Sequence, residues 1–141
     1  MAMAACSDLL TPSAAALAGT WRSTSEPAGN TRLMTFTGEG QYVVTLQSRG
    51  GDAAAPDSVT AYSSTFGAFQ VVGATLHLVE DSTVGWNWQT GSWRQVGPGF
   101  YIEGPPTDPT VQLTATRLVL TNAVNPGGGY VPMRREFRRA P

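Results

Sequence analysis

The chain has a single histidine, His77, and it stands three residues before Glu80 in the stretch "TLHLVED". Either side chain can move a proton. An imidazole titrates near neutrality, and a carboxylate taken out of water has its pKa raised toward the range of a working general acid or base. On an extended strand Thr75, His77, Val79 and Asp81 face one way, and Leu76, Leu78 and Glu80 face the other. The two groups therefore cannot line one cavity without a bulge. Leu76 and Leu78 make the second face the more apolar, so burial turns Glu80 inward; the reverse register turns His77 inward instead. Tyr42 shares a stripe with Val44 and Leu46 and is expected to point inward, where its hydroxyl needs a partner and can donate to a ligand.

Around these groups lies a concentration of aromatic residues. Trp86, Trp88 and Trp93 fall within eight residues, and Trp86 and Trp88 share a face if the segment is extended. Such rings stack on planar or polyene ligands or stabilise a developing cation; the plainer reading is that they cover one end of a barrel. Tyr62 and Tyr101 are further ligand-binding candidates. Arg94 offers a guanidinium fork for a carboxylate or enolate.

Other chemistries lack their residues. One histidine, one cysteine (Cys6) and scattered acids do not supply the usual ligand sets for zinc or haem, so no metal and no cofactor is expected. No Gly-x-Ser-x-Gly elbow is present, and the glycine clusters sit at hairpins with no Lys-Ser/Thr after them, so neither a nucleophilic serine nor a phosphate cradle is expected. The nine basic residues are all arginine against ten acids, a net charge of −1 that gives no field for nucleic acid or an anionic membrane. The closing run "RREFRR" reads as a last strand, with Arg134, Glu136 and Arg138 on one face and Met133, Arg135 and Phe137 on the other. A lone cysteine makes no internal disulfide, and "MAMAAC" lacks the basic start and apolar run of a signal, so a cytoplasmic location is expected.

The elements that must position these groups are mostly strands. Thr11 reads as an N-cap, Pro12 as the first helical position, and "SAAALAG" as one and a half turns ending at Gly19. From there the chain alternates with period two in "TRLMTFT", "QYVVTLQ", "TLHLVED", "SWRQV", "FYIE", "VQLTA", "RLVLT" and "YVPMRREF", with Gly- and Pro-rich joints between. About 120 residues at ~8 to 10 per strand and ~3 to 6 per loop give eight to ten strands. The expected fold is all-β: one antiparallel barrel with a short N-terminal helix, residues 1–10 as a flexible terminus, residues 11–141 as the barrel, and Arg49 to Asp57 as a loop at its mouth.

In order, "LAGTWRSTS", "RLMTFTGEGQYVVTL", "AYSSTFGAF", "TLHLVEDSTVGWNWQTGSWR", "RLVLT" and "MRREFRR" resemble the bacterial lipocalin-like domain family, from about Leu17 to Arg139. Its Gly-Thr-Trp-Arg opening is matched by Gly19 to Arg22. Its His-x-Val-Glu-x-Ser stretch is matched by His77, Val79, Glu80 and Ser82, followed by Trp86 or Trp88, Gly91 and Arg94. The resemblance implies a calycin-type barrel around an apolar cavity, with Trp21 plugging its floor and a late arginine, Arg135 or Arg138, packed across the indole. It further implies an apolar small-molecule partner, taken either by an enzyme of secondary metabolism or by a plain binder.

Two functions are carried forward. One is a cofactor-independent enzyme that isomerises or cyclises a polyketide- or terpenoid-like intermediate, with Glu80 or His77 moving a proton and Tyr42 donating to an oxyanion. The alternative is a carrier that binds such a molecule without turnover. A barrel with a filled core and no cavity is the structural reading beside them. If the chain self-associates, a two-fold homodimer is the commonest form.

Overall fold

The computed structural model describes residues 9–26, 28–49, 59–87, 92–96, 107–124 and 127–141, with the backbone alone for 59–61, 87 and 93–96. One helical turn, α1 (Ala14–Leu17), precedes nine strands: β1 (Gly19–Ser23), β2 (Asn30–Phe36), β3 (Gln41–Arg49), β4 (Val59–Val72), β5 (Thr75–Asn87), β6 (Ser92–Val96), β7 (Thr110–Leu113), β8 (Arg117–Val124) and β9 (Val131–Arg139). The N-cap is Ser13, two residues beyond the expected Thr11. Ser13 is extended (φ −155°, ψ 164°) and its hydroxyl accepts the Ala16 amide at 3.0 Å, leaving Pro12 before the cap and only four residues in the helix.

The strands run β4-β3-β2-β1-β9-β8-β7-β5-β6, and β4 also pairs with β5. Eight of them thus close an antiparallel barrel, and β6 extends the far half of β5 as a ninth. Closure removes the exposed edges that an open sheet of this length would carry. The ring is unevenly sewn. Long ladders join β3 to β4 and β4 to β5, whereas β5 meets β7 at one register pair, Thr75 with Thr110. Two backbone bonds hold that seam, Leu76 N–H to Pro109 O at 2.8 Å and Val111 N–H to Ala74 O at 2.7 Å.

Alternation sorts the side chains. Trp21, Met34, Phe36, Tyr42, Phe69, Leu76, Val111, Leu113, Leu118, Leu120 and Phe137 all point inward and are buried, together with Leu17 from α1. They fill one end of the barrel, with Phe36 and Phe69 edge to face at 5.0 Å. Trp21 is the floor. Its indole N–H donates to Leu17 O at 2.8 Å, and an arginine covers its ring at 4.1 Å. That arginine is Arg139, not Arg135 or Arg138. The β1–β9 register sets Trp21 opposite Arg139, while Arg138 falls on the outer face and Arg135 lies four residues further along β9, opposite Leu120. From there Arg139 also donates to Ala16 O, Ala18 O and Ala115 O at 2.8–3.2 Å, tying the helix to the last strand.

Candidate functional site

Beyond this apolar end the inward face turns polar, and a single extra residue decides how. In the β4–β5 ladder Phe66 pairs with Ser82 and Gly67 pairs with Glu80, so Asp81 has no counterpart. This bulge lets Glu80 and Thr83 face the same side. The Thr83 hydroxyl donates to Glu80 Oε1, and it meets Thr65 across the ladder at 2.9 Å. A carboxylate and two hydroxyls therefore share the lumen, inside the β4–β5 wall.

Tyr42 approaches the same spot from the other side. It pairs with Gly67, whose second neighbour is Glu80. A Cβ at position 67 would stand 2.6 Å and 2.9 Å from the Tyr42 ring carbons Cε1 and Cζ, and 2.2 Å from Val79 O. The ring thus occupies the space that a side chain at 67 would need, and Gly67 is required for the close approach. Tyr42 is 4% exposed, so its ring belongs both to the packed core and to the edge of the polar half.

A second polar group lies on the inward faces of β2 and β9. Arg32 and Arg135 point into the barrel with Met34 and Phe137, and Glu26, in the loop after β1, reaches in to meet them. Arg32 Nε donates to Glu26 Oε1; Arg135 Nε stands 3.8 Å from the same oxygen. Burial, and then the nearby Arg32 cation, hold the Arg135 guanidinium below the usual arginine range, partly offset by Glu26. A pocket of about 100 Å³ opens beside Glu26 and Arg32, between Asn30, Leu46 and Ser48.

Of the residues singled out from the sequence, the structure brings Tyr42 and Glu80 together around Gly67. His77 is elsewhere. It lies on the outer face of β5, about half exposed, with Nδ1 2.6 Å from Asp108 Oδ2 across the thin β5–β7 seam. The bulge comes after Glu80 and so cannot bring His77 inside. Tyr62 and Trp86 also lie on the face opposite Thr65 and Thr83, where the Ser64 hydroxyl donates to the Tyr62 hydroxyl at 3.3 Å. Trp88, Tyr101, Cys6 and the loop from 50 to 57 lie outside the described residues, as do the side chains of Trp93 and Arg94.

Sequence reasoning missed the Arg32–Glu26–Arg135 group, although half of its signal is present. Arg32 sits in "TRLMTF" on the same alternation as Met34 and Phe36, so a cation is written into an apolar stripe. Glu26 comes from a loop, where no period announces it. Among the described residues, no three His, Cys, Asp or Glu side chains converge as a metal site would require. The chain matches no family model, no curated protein and no solved structure.

Proposed function

We propose that this barrel belongs to the bacterial lipocalin-like domain family and isomerises or cyclises an apolar, polyketide- or terpenoid-like molecule held in its lumen, without a cofactor. The observation that carries this reading is the bulge at Asp81, which places Glu80 and Thr83 inside the barrel beside the Tyr42–Gly67 contact. A carboxylate on the inner face costs free energy to bury unless it is bonded, and the Thr83 hydroxyl supplies such a bond while leaving the carboxylate facing the lumen.

In this mechanism Glu80 takes a proton from a carbon next to a ligand carbonyl. The electron pair of the broken C–H bond moves into a new C=C bond, and the carbonyl oxygen takes the negative charge. The Tyr42 hydroxyl stabilises that enolate by donating to it, and Thr83 holds the carboxylate in orientation. Return of the proton from Glu80 to a different carbon completes an isomerisation with atoms in balance. Closing a ring requires in addition that the lumen hold the chain folded, and positioning of that kind is worth ~7 to 11 kcal/mol in the best cases.

The test is native mass spectrometry and chromatography of the protein incubated with apolar metabolites of this class. A bound compound recovered with unchanged mass and altered mobility is the expected result. Glu80→Gln should keep binding and slow turnover by about a hundredfold or more, the usual contribution of a positioned base, and His77→Gln should leave turnover unchanged. Recovery of every bound compound unaltered makes the protein a carrier. Turnover that survives Glu80→Gln removes Glu80 from the mechanism.

A further inference from the structure

The inward arginines are unequally served. Among the described residues Glu26 is the one carboxylate beside Arg32 and Arg135, and Arg32 holds its Oε1 in a direct hydrogen bond. Arg135 reaches that same oxygen only at 3.8 Å, and its guanidinium forms no hydrogen bond with any described residue. Yet its side chain is 29% exposed and faces the lumen, on the same side of β9 as Phe137. A guanidinium carries five N–H donors in a planar fork suited to a carboxylate. Among the described residues of this group, two cations and one anion leave a net positive charge. The pocket of about 100 Å³ lined by the Arg135 neighbours Glu26 and Arg32 holds roughly three waters at ~30 Å³ each, which is room for a headgroup and not for a whole ligand.

We infer that Arg135 is a receptor for the carboxylate of the ligand, so that the barrel takes an apolar monocarboxylic acid. Its acid group pairs with Arg135 beside the Arg32–Glu26 bridge, and its apolar body occupies the lumen toward Tyr42 and Glu80. This assignment rests on the reading of the barrel as a small-molecule site, and it narrows the substrate class. It also gives the Arg135 guanidinium a hydrogen-bonding partner, which no described residue supplies.

Calorimetric titration with three probes of one chain length, dodecanoate, methyl dodecanoate and dodecan-1-ol, tests it, with naphthalene-2-carboxylate and its methyl ester as a rigid pair. In each series the acid should bind about ten- to a hundredfold tighter than its ester, the range of a charge-assisted hydrogen bond. Arg135→Met should erase that preference while leaving ester affinity in place, and Arg135→Lys should restore part of it. Glu26→Gln removes the competing anion and should tighten acid binding, which provides a readout if Arg135→Met fails to fold. Equal affinity for acid and ester, or a preference that survives Arg135→Met, overturns the carboxylate assignment and leaves the small-molecule reading standing. Failure of every probe, acid or neutral, to bind overturns both.

Discussion

The two halves of the barrel interior are built on opposite terms. Around Trp21, inward positions from eight strands carry apolar side chains packed against one another, and the polar atoms that enter that end are matched: the indole N–H by Leu17 O, the Arg139 guanidinium by three carbonyls. Beyond Tyr42, alternation together with the bulge at Asp81 delivers Thr65, Glu80, Thr83, Arg32 and Arg135 into the lumen. The first half is what any closed barrel of this size needs to stay folded. The second departs from that pattern with charged and hydroxyl side chains on inward positions, and the proposed function is built on them.

If that division holds, substitutions in the two halves should separate stability from ligand handling. Trp21→Ala attacks the packed end and should cost about 3–5 kcal/mol, read as a fall in the urea midpoint, because it empties a fully buried site that cannot collapse. Gly67→Val strikes the border between the halves. Its Cβ would collide with Val79 O and the Tyr42 ring, so a loss of roughly 3 kcal/mol is expected, and ligand affinity should fall with it because Tyr42 must move. A border mutant that lost stability and bound ligand normally would show that Tyr42 belongs to the packed half alone.

The smallest effect lies outside both halves. Hydrogen bonds from Arg117 and Arg134 on the outer face hold the Glu136 carboxyl below its usual range. A folded-state pKa below the unfolded one gives a contribution that is complete above the unfolded pKa and is lost as pH falls through the folded value. Glu136→Gln should therefore lower stability slightly at neutral pH, with the difference from the parent vanishing on acidification and shrinking in salt. Thermal melts across an acid series read it, and ligand binding should be untouched.

Much of this could be read from the sequence where period two was the governing signal. "TLHLVED" sends Glu80 inward because Leu76 and Leu78 outweigh Thr75 and Val79, and "QYVVTL" does the same for Tyr42. Competition between local signals was harder to read. Thr11 and Ser13 flank Pro12, both can cap a helix, and only the backbone conformation selected Ser13. Long-range register was not legible at all. Whether Arg135, Arg138 or Arg139 covers Trp21 depends on how β9 slides along β1, which ladder bonds between residues more than a hundred positions apart decide. The pairing of Arg32 with Glu26 joins a strand to a loop and leaves no periodic trace.

The unpaired Asp81 has a consequence for how such a barrel changes over generations. Removing it would make Glu80 and Ser82 neighbours against Gly67 and Phe66, and every later residue of β5 would keep its partner and its side. A one-codon deletion at this point is therefore silent to the lining. Accommodating the extra residue beyond Asn87 would instead turn Ser82, Val84 and Trp86 inward and Thr83 outward, exchanging a hydroxyl wall for an indole one with no substitution. The character of the lining can be inherited as the placement of one surplus residue, before any side chain in the wall is altered.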